Sequence, residues 1–202
     1  MIKSKNEYKY YLEADRISLM QKRKRPHLVS VWESDVIWKY ERLLRKVEYL
    51  HNCKSKGVFY FIYKFNQYRL FRMQIKTGIN VPINVFGAGL CITHLGPIVI
   101  NGFAKVGNNC TLHPFTVIGI SGRDSGSQVA ELGNDVYISM GAKIIGKISI
   151  ADSVVIAANA VVTKDITTPN TTWGGIPARK ISDNGNPLPE NFKGANVAKE
   201  RK

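Results

Sequence analysis

The sequence predicts a mainly β chain: a parallel β-helix of hexapeptide repeats, preceded by an α-helical N-terminal region. Two observations carry this expectation. Between Ala88 and Val162 an aliphatic or small residue returns every sixth position, first as Ala88, His94, Ile100, Val106, Leu112 and Ile118. After one polar loop it resumes as Leu132, Ile138, Ile144, Ile150, Ile156 and Val162. A period of six fits neither the 3.6 of a helix nor the 2 of a strand, but suits one side of a triangular coil of about eighteen residues. Before Thr77 that period is absent and a helical one stands in its place.

The N-terminal region, residues 1–76, is read as helical. From Val36 to Leu50, the residues Val36, Ile37, Tyr40, Leu43, Leu44 and Val47 share one face, with Lys39, Arg42, Arg45 and Lys46 largely off it. Gly57 separates this from Val58–Ile75, dense in Phe and Tyr and edged by Lys64, Arg69, Arg72 and Lys76. Such a helix either meets a membrane interface or packs on a neighbouring domain or subunit, and the second is the commoner outcome.

The repeat region, residues 77–181, has a second small or apolar column: Ala104, Cys110, Thr116, Val136, Ala142, Ile148, Val154, Ala160 and Ile166. β-branched residues suit short flat strands, and each corner needs a residue that accepts a tight or left-handed turn. Gly107, Gly119, Gly133, Ala151 and Ala157 follow the first column and fit that need. Each coil buries its columns only against its neighbours, so the array forms one stacked core. The register breaks once, over residues 120–131, where a Gly/Ser-rich stretch reads as a loop thrown out from the prism. A Pro/Asn/Gly/Lys-rich segment, 182–202, is expected as a flexible tail.

Composition narrows the function. The net charge is +14 over 202 residues, and it is uneven. Residues 1–76 hold 18 Lys/Arg against 7 Asp/Glu, including the run Lys22-Arg23-Lys24-Arg25. No reading helix or stacking motif accompanies that run, so a nucleic-acid partner is not expected. The 3 cysteines have no metal-ligand spacing and suit a reducing compartment. With no stretch of membrane-span length and no signal-peptide opening, a cytoplasmic protein is expected.

His94 is the one member of the first column that is not apolar. A polar ring inside so thin a prism is costly without partners, so a local register change that turns it outward is expected. The hexapeptide columns, the polar loop, Gly141-Ala-Lys-Ile-Ile-Gly146, Val161-Val-Thr-Lys-Asp165 and Gly175-Ile-Pro-Ala-Arg179 together resemble the left-handed β-helix acyltransferases. Within them the serine acetyltransferase branch is the nearest, including its relatives that acetylate sugars of surface polysaccharides.

That resemblance implies a left-handed parallel β-helix, a homotrimer with sites between prisms, acetyl-CoA as donor and no required metal. It implies His94 as general base, since a hydroxyl must lose its proton as it attacks a thioester and imidazole titrates near neutrality. Backbone N–H groups of a small-residue turn would hold the developing negative charge. Candidate acceptor-binding positions are Asn80, Thr93, His113 and Gln128. Candidate donor-binding positions are Gly119, Gly141, Ala142 and Ala158, small enough for pantetheine to lie close. Thr163, Lys164, Arg179 and Lys180 match positions near the CoA phosphates.

Four residues depart from serine acetyltransferases. Asn80 and Thr93 stand where those enzymes have Asp, and Gln128-Val129 where they have Arg-His. The neutral replacements point away from a zwitterion and toward a sugar hydroxyl of a bacterial capsule or O-antigen. The corresponding expectations are a carbohydrate acceptor and a peripheral contact with the inner membrane surface. Asn80 or a main-chain carbonyl is then left to orient His94. The alternatives are serine O-acetylation in cysteine biosynthesis, N-acetylation of an amino-sugar, and an inactive trimeric scaffold. A zinc hydrase on the same solenoid would need three converging histidines, and only His94 and His113 lie in the repeat.

Overall fold

The structure is a computed structural model that describes residues 1–122 and 128–200. Short strands stack into three sheets of a triangular prism, with helices packed along one end. Face A holds β1 (Ile79–Asn80), β3 (Ile98–Ile100), β6 (Val117–Gly119), β9 (Lys143–Ile145) and β12 (Val161–Val162). Face B holds β4 (Lys105–Val106), β7 (Glu131–Leu132) and β10 (Ser149–Ile150). Face C holds β2 (Cys91–Ile92), β5 (Thr111–Leu112), β8 (Tyr137–Ile138), β11 (Val155–Ile156), β13 (Thr172–Gly174) and β14 (Arg179–Ser182). The chain visits C, A and B in turn, and neighbours are parallel except for the closing β13–β14 pair.

The columns set the register. Ile100 pairs with Ile118, Leu132 with Ile150, and Ile144 with Val162, each a step of 18 residues. Across the polar loop the step is 26, as in Val106–Leu132 and Leu112–Ile138. The loop therefore adds eight residues and returns the chain to the column it left. Of its expected span, residues 123–127 lie outside the described residues. Both columns are buried apart from His94, and the second contributes Thr116 and Ala142 at 0% exposure.

Left-handed turns cluster at two of the three corners. Asn109, Asp135 and Ser153 take positive φ between faces B and C. Phe115, Gly141 and Asn159 do so between C and A; Asn109, Asp135, Ser153 and Asn159 each stand two positions beyond a residue singled out from the pattern, Gly107, Gly133, Ala151 and Ala157. Phe115, at φ 62°, is a bulky residue in a conformation that favours glycine. Its N–H donates to Pro97 O at 2.5 Å on the preceding coil.

The helices are α1 (Lys5–Ser18), α2 (Glu33–Cys53), α3 (Val58–Thr77) and α4 (Gly194–Glu200). Polar side chains lace α2 to the first coil. Glu41 accepts from Ile92 N at 3.0 Å, Arg45 donates to Phe86 O and Gly87 O at 2.9 and 2.6 Å, and Glu48 accepts from Asn84 N at 2.8 Å. Arg45 thus departs from its expected place off the apolar face and is fully buried. Its charge is met by Asp15 and Glu48, and without such partners the burial would be prohibitive.

On α3, Tyr63, Asn66 and Leu70 face inward, while Phe61, Phe65 and Phe71 are exposed. Of the segment expected as a flexible tail, residues 182–200 are described and include ordered elements. After a 3-10 turn (Glu190–Phe192), α4 packs on α1, with Gly194 N donating to Ser18 Oγ and Ala195 N to Asn109 Oδ1. Small residues at Gly194, Ala195 and Ala198 permit that close approach. Residues 201 and 202 lie outside the described residues. Among the described residues no helix is long and apolar enough to cross a membrane.

Candidate active site

The site forms where the repeat slips. Ile92 pairs with Leu112, a step of 20 rather than 18, so Ile92 fills the inward slot that strict spacing assigns to His94. Two extra residues at the corner between β2 and β3 turn the ring of His94 outward. Its side chain is 58% exposed, the register change expected from the sequence.

Glu33, the first residue of α2, lies against this corner. One carboxylate oxygen accepts from Leu95 N, and the other stands 3.4 Å from His94 Nδ1. The Leu95 N–H, with smaller help from His94 and against slight burial, holds the Glu33 carboxyl below the usual carboxylate range. Its place in the first helical turn acts in the same direction.

His113 sits one coil on, with ring centroids 6.5 Å from His94. Its Nδ1 is 3.1 Å from Thr93 Oγ1 and its Nε2 is 2.8 Å from Tyr137 Oη. Burial, and then the neighbouring His94, push its pKa down, so its neutral form is favoured.

His94, His113 and Thr93 line a cavity of about 300 Å³ together with Gln21 and with Ile37 of α2. Cys91 also lines it, but burial drives its thiol far above the range of a useful nucleophile. Asn80, exposed in β1 opposite Val99, and Gln128, exposed before the buried Val129, lie outside this lining. Among the described residues the side chain against the His94 ring is Glu33. Glu33 was missed because the periodic pattern starts at Val36, and only acidic enrichment in a first helical turn hinted at residues 33–35.

The candidate donor positions fall on two edges of face A. Gly141 and Ala158 lie at the C-to-A corner that also holds His94, with Gly141 at φ 76°. Ala142 is buried in the second column. Gly119, Gln128, Thr163 and Lys164 lie on the opposite edge, where Thr163, Lys147 and Gly146 line a second cavity of about 340 Å³. Val161 N donates to Gly175 O and Ala178 N to Val161 O, which brings the Arg179 segment against β12. Arg179 is exposed, and Lys180 pairs with Asp183. Among the described residues no group of three or more His, Cys, Asp and Glu could hold a metal.

No family model matches the chain. Among curated proteins it is 29% identical over 185 residues to a serine acetyltransferase of Staphylococcus epidermidis, covering 88% of this chain and 86% of that one. Serine acetyltransferases of Synechococcus elongatus and Helicobacter pylori are 34% and 37% identical over 113 and 99 residues, covering 46% and 58% of those proteins. Among solved structures, serine acetyltransferase of Brucella abortus superposes with a TM-score of 0.70 at 23% identity, covering 90% of this chain and 71% of that one. The same enzyme in complex with coenzyme A gives the same score.

The fold is a left-handed parallel β-helix with N-terminal helices, and the chain is an acyltransferase. The likeness overturns the reading of a polysaccharide sugar as acceptor, since these relatives, from several bacterial species, are serine acetyltransferases. The sugar reading assumed that a charge missing at an aligned position is missing from the site. A helix can bring a charge to the site from elsewhere in the chain, and Glu33 at the start of α2 stands against His94.

Proposed function

We propose that the protein is a serine O-acetyltransferase that takes its acyl group from acetyl-CoA, with His94 as general base. The observation that carries the chemistry is the outward His94 at the cavity mouth, with Nδ1 turned to Glu33 and Nε2 left for a hydroxyl. The acceptor rests on the relatives. When bound, acetyl-CoA supplies an activated thioester. The serine hydroxyl gives its proton to His94 Nε2 as its oxygen attacks that carbonyl, and the imidazolium returns the proton to the departing thiolate. The basic run Lys22–Arg25 follows directly after Gln21, which lines the cavity, a charge that suits a substrate carrying a carboxylate.

The residues suit the donor. Gly141 and Ala158 keep the His94 edge low, and Lys147, Lys164 and Arg179 offer cations for phosphates. A homotrimer belongs to the same proposal. His94 and Gly141 occupy one edge of face A, and Gly119, Gln128, Thr163 and Lys164 the other. A neighbouring prism set against the His94 edge would bring the two sets into one groove.

The test is release of CoA thiol from acetyl-CoA by the purified protein, with and without L-serine. Serine-dependent release that falls by about 10²–10⁴-fold in His94→Ala is expected. Release indifferent to serine, or undiminished in the variant, would sink the reading.

A further inference from the structure

We propose that Glu33 is the positioning carboxylate of His94, delivered by helix α2 in place of a carboxylate from the β-helix. The proposal rests on the reading of His94 as base. Glu33 spans two groups at once. One oxygen takes the main-chain N–H of Leu95, directly after the histidine, and the other stands 3.4 Å from Nδ1 of the ring. The main-chain bond fixes where the carboxylate sits, so the ring aligns to it and not the reverse. Hydrogen bonds of a free enzyme are often long and tighten when substrate binds.

The mounting is rigid. Three further side chains of α2 bond the backbone of the same coil: Glu41 at Ile92, Arg45 at Phe86 and Gly87, and Glu48 at Asn84. Going along α2 the partners run backward along the coil, from Leu95 to Asn84. Helix and coil are therefore registered to each other over the whole joint, and Glu33 occupies its catalytic end.

The placement fixes the chemistry. A carboxylate on Nδ1 selects the tautomer with Nε2 free of hydrogen, so Nε2 is the atom that receives the hydroxyl proton. It then stabilises the imidazolium without taking that proton itself. The titratable groups facing His94 among the described residues are Glu33 from α2 and His113 from the next coil, with Cys91 in the same cavity. Of these only Glu33 is an anion at neutral pH. Removing it takes away the negative charge that stabilises the imidazolium formed during the transfer.

The experiment compares wild type, Glu33→Gln and His94→Ala for kcat and the KM for L-serine. Glu33 is 44% exposed on its side chain, so the variant is expected to fold, and a thermal melt checks this. Expected for Glu33→Gln are a kcat lower by about ten-fold or more and a serine KM within about two-fold. A raised KM at unchanged kcat would make Glu33 a substrate ligand and overturn the proposal. An unchanged kcat would also overturn it. Full activity in His94→Ala overturns the reading of the base itself, whereas an inactive His94→Ala beside a fully active Glu33→Gln overturns only the role of Glu33. The ring nitrogen shifts of His94 by NMR give an independent readout: the same share of the Nδ1–H tautomer in Glu33→Gln as in wild type sinks the proposal whatever the rates.

Discussion

Arg45 and Asp15 meet as a two-pronged ion pair, Nε to Oδ2 at 2.7 Å and Nη2 to Oδ1 at 3.3 Å, with almost no solvent contact on either side. Asp15 also accepts from Gly89 N and Leu90 N, so a single carboxylate joins α1, α2 and the first coil. Burial works against both charges, and each is sustained by the other.

Arg45→Met tests that joint. The substitution keeps much of the apolar stem but leaves Asp15, Glu48 and two carbonyls without their donor. Removing one partner of a buried pair costs about 3–5 kcal/mol. Urea denaturation should show a loss of that order, and a loss below about 1 kcal/mol would mean that water reaches the site freely.

Glu41 predicts a pH effect. Its Oε1 accepts from Ile92 N while its Oε2 has no partner among the described residues, and burial, then Asp15, push its carboxyl well above the usual range. The folded protein therefore holds a proton that the unfolded chain releases near pH 4.5. Stability from this group is fully present below that pH and declines as pH rises toward the folded pKa. Glu41→Gln removes the decline. The variant should match wild type near pH 4 and exceed it increasingly toward neutrality, in thermal melts across that range. A constant difference at all pH values would show Glu41 ionised in the fold.

Gly194→Ala probes the C-terminal helix. A Cβ there would stand 1.9 Å from Ala14 O, a main-chain atom of α1 that cannot step aside. We expect α4 to lift away while the prism keeps its melting temperature. Limited trypsin digestion should then cut at Lys193 and Lys199 far faster than in wild type, and equal rates would refute the close packing.

The prism was legible because its period is set by burial alone: every sixth side chain meets the coils above and below, whatever the loops do. The outward turn of His94 was legible for the same reason, since a polar ring has no place in that column. What stayed hidden depends on pairing between distant segments. Glu33 lies 61 residues from His94, and nothing local in either stretch announces the contact. Arg45 looked like a solvated charge because a helical wheel shows which face a residue takes but not whether a carboxylate waits behind it. The tail misled for a related reason: Gly and Asn suggest freedom, yet Gly194 serves close packing and Asn196 bonds Glu190. The acceptor was misjudged from the same blindness to distance.

The slip between Ile92 and Ile100 can be seen as a dislocation in a one-dimensional crystal. A perfect lattice of hexapeptides presents the same face at every level and so has no address at which chemistry could be put. Two surplus residues break that translational symmetry at a single level, and the coil above restores it through Leu112 and Ile118. Such a defect cannot wander, because shifting it by one coil would expel Ile118 from the core and draw His94 back in. Excising two residues from Thr93–Pro97 would heal the lattice, leaving a longer uninterrupted prism with nowhere to do its work.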